Sequence, residues 1–81
     1  MSLAAAFTNY LIAKCDAGTD VSGYWLKRYD TGYPQPMYRL YCGGPYGVFL
    51  GTEEEATRML RQTVETLRVI AERKAARLAA K

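Results

Sequence analysis

Chemistry in a chain of 81 residues rests on few side chains, and in this one histidine is missing altogether. That excludes Ser-His and Cys-His nucleophile pairs and any His-metal arrangement within one chain. Four short groups remain. Cys15 and Cys42 are too few for a disulfide framework, and they reach a four-thiolate zinc site only if two chains share it. Two semi-buried thiols in a reducing compartment are expected instead. Asp30-Thr31-Gly32 follows Arg28-Tyr29 and opens a loop with two prolines, which suits a solvated turn and not a buried carboxylate dyad. Gly43-Gly44-Pro45-Tyr46-Gly47 opens onto a strand and lacks the Lys-Ser/Thr pair of a phosphate cradle, so it reads as a hairpin connection. Glu53-Glu54-Glu55 are adjacent on a helix and point in different directions, so helix capping accounts for them better than metal ligation. No catalytic constellation, metal site or cofactor is expected from these groups.

The remaining candidate is a binding surface, and strand alternation produces it. Tyr24-Trp25-Leu26-Lys27-Arg28-Tyr29, Met37-Tyr38-Arg39-Leu40-Tyr41-Cys42 and Tyr46-Gly47-Val48-Phe49-Leu50 are short, rich in aromatic and β-branched residues, and separated by turn chemistry. Successive side chains alternate between the faces of a sheet. One face then carries Tyr24, Leu26, Tyr38, Leu40, Cys42, Val48 and Leu50, apolar enough to form a core. The other carries Trp25, Lys27, Tyr29, Met37, Arg39, Tyr41 and Phe49. Aromatics interleaved with cations give large rigid contact area at low entropic cost, suited to a protein partner or to nucleic-acid bases. An N-terminal helix is the element that would hide part of this face.

The elements that must position this surface are legible as well. Gly51-Thr52-Glu53-Glu54-Glu55-Ala56 offers a hydroxyl cap with a glutamate three residues on, and acids beside the positive end of the helix dipole. Ala56, Leu60, Val64, Leu67, Ala71, Ala75 and Leu78 recur at helical spacing, widened by Met59, Thr63 and Ile70, with neither Gly nor Pro to stop the run. A helix over 52–80 would be about 43 Å long, against about 20 Å for a six-residue strand, so its last third should project past the sheet. Residues 2–17 read as a helix capped by Ser2 and stopped at Gly18, with a fourth strand over 7–15 as the alternative. The expected architecture is one α+β domain over 1–81 of order α-β-β-β-α, a three-stranded antiparallel sheet over 23–50 packed on the long C-terminal helix.

Charge is concentrated at the projecting end. Of the net charge of +3, Arg68, Arg73, Lys74, Arg77 and Lys81 contribute against Glu72 alone, leaving the rest of the chain almost neutral. Arg73, Lys74, Arg77 and Lys81 surround the narrow seam of Ala71, Ala75 and Leu78. This end is expected to pair with its own copy in a homodimer or to lie against an acidic partner, the facing cations disfavouring self-association. No apolar run approaches a membrane span and no basic residue precedes the apolar stretch of 1–13, so a soluble cytoplasmic protein without a membrane partner is expected.

The element order resembles that of the double-stranded RNA-binding domain, but Thr52-Glu53-Glu54-Glu55-Ala56 stands where that family places a phosphate-gripping lysine cluster. From about Gly23 to Leu67 the chain is similar in topology to the AP2 and integrase-arm DNA-binding domains. That resemblance includes the Thr52-Glu53-Glu54-Glu55-Ala56 helix entry and implies a sheet face that reads the major groove. In overall profile the chain is similar to small phage-encoded inhibitors, anti-CRISPR proteins among them. That likeness implies a non-enzymatic protein that occupies a host nucleoprotein complex such as a CRISPR effector, with direct DNA or RNA binding by the same face as the alternative.

Overall fold

Two hydroxyl side chains set where the helices begin. In the computed structural model, which describes residues 2–80, Ser2 accepts a hydrogen bond from the Ala5 amide and opens α1 (Leu3–Asp16). Thr52 accepts from the Glu55 amide at 3.2 Å while the Glu55 carboxylate accepts from the Thr52 amide, a reciprocal capping box at the start of α2 (Glu53–Ala79). The other two members of the glutamate block are its neighbours in the first turn, and Glu54 pairs with Arg58 one turn on. At the far end of α1 the Gly18 and Thr19 amides donate to the Cys15 and Lys14 carbonyls, a Schellman motif that turns the chain off the helix. The fourth-strand alternative for residues 7–15 is thereby set aside.

Between the helices lie β1 (Tyr24–Tyr29), β2 (Met37–Cys42) and β3 (Gly47–Thr52), antiparallel in the order β1-β2-β3. The third strand starts one residue later than its sequence suggests and runs on to the helix cap. Within it lies a register shift beside Tyr38/Arg39, where Arg39 faces Phe49 but Tyr38 faces Gly51, leaving Leu50 as the additional residue of a bulge.

Both helices sit on one face of the sheet. Leu3, Ala6 and Tyr10 of α1, Leu40 and Leu50 of the sheet, and Ala56 and Leu60 of α2 form a single buried cluster, with Phe7, Leu11, Tyr24, Leu26, Tyr38 and Val64 packed against it. Burial raises the Tyr10 phenol above its usual range, with Cys42 and Tyr24 adding to the effect. The two helices run in the same direction, because Ser2 and Leu3 lie beside Glu53, Glu54 and Thr57 whereas Asp16 and Ala17 lie beside Leu67, Arg68 and Ala71.

Several expected core positions are corrected here. Val48 is 57% exposed although it shares its face with buried Leu40, since it lies near the hairpin end of the edge strand β3, away from the end where Leu50 is buried. Cys42, the last residue of β2 beside the hairpin connection, and Cys15, in the last turn of α1, are exposed free thiols and not semi-buried ones. Met59 and Ile70 face solvent instead of widening the buried stripe of α2. From Ile70 to Ala80 every residue is exposed, so α2 does project past the sheet, along a molecule measuring 55 × 24 × 17 Å. Among the described residues no helix is long and apolar enough to cross a membrane.

Candidate functional site

The placement of both helices on one side leaves the opposite face of the sheet uncovered by either. Cross-strand register then assembles the aromatic set. Trp25 stands opposite Tyr41, Lys27 opposite Arg39, Tyr29 opposite Met37, and Arg39 opposite Phe49. All seven side chains expected on this face, Trp25, Lys27, Tyr29, Met37, Arg39, Tyr41 and Phe49, therefore share it.

They interlock. The Trp25 and Tyr41 rings are stacked with centroids 4.3 Å apart and planes inclined by 7°. Such a pair contributes on the order of 1 kcal/mol beyond area burial and fixes both rings. The Tyr41 and Tyr29 hydroxyls are 3.4 Å apart, and the Lys27 ammonium lies over the Tyr29 ring, 5.1 Å from its centroid. Arg39 Nη1 donates to the Gly47 carbonyl at 3.2 Å, and the guanidinium carbon lies 5.9 Å from the Phe49 ring centroid. Gly47 is required for this placement, because a Cβ there would stand 2.6 Å from Arg39 Cγ and 2.9 Å from the Leu40 carbonyl oxygen. Trp25 is still 48% exposed and Phe49 43%, so the patch is rigid without being hidden.

Two contributors escape strand alternation. Tyr33, in the loop between β1 and β2, leans against Phe49 with ring centroids 6.2 Å apart and extends the patch beyond the strands. The Gly47 carbonyl is a backbone group that residue type does not reveal. The signal for Tyr33 was an aromatic residue directly before Pro34 in a loop that must cross from one strand to the next, yet periodicity assigns no face to a loop residue.

The hydroxyl pair gives the site a measurable signature. Hydrogen bonding from Tyr41 lowers the Tyr29 phenol below the usual range, assisted by Lys27 and Arg39, while the same bond holds the Tyr41 proton above it. An ultraviolet titration is therefore expected to show a first phenolate forming earlier than in an unperturbed tyrosine. Tyr41→Phe should return that early step to the ordinary range near 10. An unchanged first step in the variant would remove the bond from the description.

The other sequence candidates are placed elsewhere. Asp30 of the Asp-Thr-Gly triplet is an exposed partner of Arg28, with Nε to Oδ1 at 2.5 Å. Gly43 to Tyr46 form the connection between β2 and β3. Among the described residues no group of three or more Cys, Asp or Glu side chains is gathered as metal ligands would be. Arg73, Lys74 and Arg77 are exposed on the projecting end of α2, and Lys81 lies outside the described residues.

No protein-family model, curated protein or solved structure matches the chain.

Proposed function

We propose that the chain is a non-enzymatic binding protein that docks on a macromolecular complex through Trp25, Tyr29, Arg39 and Tyr41. The observation that supports this most directly is the preassembled Trp25/Tyr41 stack on an uncovered sheet face. Rings already fixed lose little conformational entropy on association, and exposed Trp, Tyr and Arg are the residue types that dominate binding energy at protein interfaces.

The distribution of charge favours a protein surface over bare nucleic acid. Arg39 is half-buried and committed to the Gly47 carbonyl and the Phe49 ring. That leaves Lys27 as the exposed cation among the strand residues of this face. Phosphate recognition needs several exposed cations, each releasing counterions. The form of activity proposed is inhibition by occupancy, in the cytoplasm, of a nucleoprotein complex of the CRISPR effector kind. What supports this finer reading is the chain's profile, a small domain whose one preassembled surface is built for contact.

Trp25 is the sole tryptophan, so its emission reports on the site directly. Titration with bare duplex and with single-stranded oligonucleotide, at two salt concentrations, is expected to give no saturable change. In affinity capture from bacterial lysate, Trp25→Ala should weaken retention of the bound complex by about 30-fold or more, while the distant Leu78→Asp should not. Tight binding to bare duplex that falls steeply with salt would overturn the protein-docking reading in favour of direct nucleic-acid binding.

A further inference from the structure

The uncovered sheet face carries positive charge and no acid. Lys27 and Arg39 stand directly opposite one another across β1 and β2, a like-charge cross-strand pair that costs the free sheet stability. None of the strand residues sharing the face is Asp or Glu. The acids that form ion pairs do so elsewhere, Asp30 with Arg28, Glu54 with Arg58, and Glu65 and Glu72 with Arg68. Among the described residues, then, no carboxylate offsets Lys27 or Arg39.

The two charges converge on one phenol. The Lys27 ammonium lies over the Tyr29 ring, and Tyr29 is held below its usual ionisation range by the hydrogen bond with Tyr41 first and by Lys27 and Arg39 after it. Arg39 directs Nη1 to the Gly47 carbonyl, but its Nε is buried without a hydrogen-bond partner. A positive centre with unspent donors thus sits between the Trp25/Tyr41 stack and the Phe49/Tyr33 pair.

We infer that this face receives a protein segment that sets one Asp or Glu carboxylate against Lys27 and the Tyr29 hydroxyl, with apolar side chains beside the acid covering the rings. This rests on the docking reading above and names the chemistry of the partner. The charge count selects a carboxylate. Lys27 is exposed and Arg39 half-buried, which suits a single negative charge, whereas a run of phosphates needs several exposed cations. Rings around an ion pair exclude water, and a charge-assisted hydrogen bond contributes more there than in the open. The incoming acid also offsets the repulsion between Lys27 and Arg39.

Trp25 emission reports the test. Titrated with acetyl-Gly-Leu-Glu-Leu-Gly-amide, the full chain should saturate in the millimolar range expected of so short a ligand, about fivefold or more tighter than with the Gln counterpart. Lys27→Gln should remove that preference. Lys27→Glu should lose the Glu peptide yet melt no lower than Lys27→Gln, because it faces Arg39 with an opposite charge. The bound Glu peptide should also move the early phenolate step upward, since a carboxylate beside Tyr29 opposes its ionisation. Equal binding of the Glu and Gln peptides overturns the proposal, as does a preference that survives Lys27→Gln, or no saturation by either peptide up to about 50 mM. A phosphoserine counterpart bound about tenfold more tightly than the Glu peptide overturns it in favour of a phosphate ligand. In affinity capture, retention that falls with Trp25→Ala but not with Lys27→Gln overturns the acid contact alone, and retention indifferent to Trp25→Ala removes the docking surface itself.

Discussion

Leu60→Asp is expected to leave the chain without a cooperative thermal transition. Leu60 is 1% exposed and lies where α2 meets the sheet and α1, in one cluster with Leu40, Leu50 and Tyr10. Removing a buried leucine side chain costs about 2–5 kcal/mol from lost transfer energy and the cavity left behind. An uncompensated carboxylate in that place adds a desolvation penalty of several kcal/mol more, or takes up a proton at a comparable cost. A domain of 81 residues has roughly 4–12 kcal/mol of stability in all. The substitution consumes most or all of it. The informative companion is a pair on the sheet, since Leu40 and Val48 are cross-strand partners on the same face, yet one is 5% and the other 57% exposed. Leu40→Asp should behave like Leu60→Asp, and Val48→Asp should cost only about 1 kcal/mol of strand preference. Equal effects at the two positions, read by circular dichroism melts, would contradict the partial reach of the helices across this face.

That pair also marks where the sequence stops being informative. Alternation assigns Val48 and Leu40 to the same face correctly, but says nothing of how far two helices reach across it. Coverage is a property of tertiary placement, so the edge strand and the hairpin end, where Val48 and Cys42 lie, came out more exposed than their residue types suggest. The helix entry at Thr52 was legible because all of its determinants are local: a hydroxyl, a glutamate three residues on, and the dipole. The shared face of the seven side chains was legible from a period of two alone, whereas the register that brings Trp25 onto Tyr41 and Arg39 onto Phe49 is set by how the strands pair and was not. Tyr33 was not, because its place beside Phe49 depends on the path of the loop over residues 30–36. The bulge at Leu50 left no trace in the residue types either, and it moves the end of β3 without moving the aromatic face.

A second large effect is expected from a small substitution at the edge of the sheet, Gly23→Ala. Gly23 immediately precedes β1, and its carbonyl accepts from the Gly43 amide at 3.0 Å, which closes the end of the β1-β2 ladder next to the Tyr24/Cys42 pair. A Cβ at position 23 would stand 2.6 Å from the Gly43 Cα and 3.3 Å from its nitrogen. Both atoms belong to backbone, so no rotamer change relieves the overlap. The strands must separate at this end, losing the ladder bond and loosening the neighbouring pair, Trp25 on Tyr41. The cost should be about 2–3 kcal/mol, the range of a lost hydrogen bond plus local strain, lowering the melting temperature by roughly 10–20 °C in a domain of this size. Two readouts separate this from general weakening. Near-ultraviolet circular dichroism of the Trp25/Tyr41 stack should fall well below the melting range, and partner retention should weaken with it. Gly44→Ala, next to Gly43, where an added Cβ meets nothing within 4 Å, should change neither. If Gly23→Ala melts like the parent chain with its near-ultraviolet signal intact, the two backbones do not approach as described, and the rigidity ascribed to the aromatic patch loses its anchor at this end of the sheet.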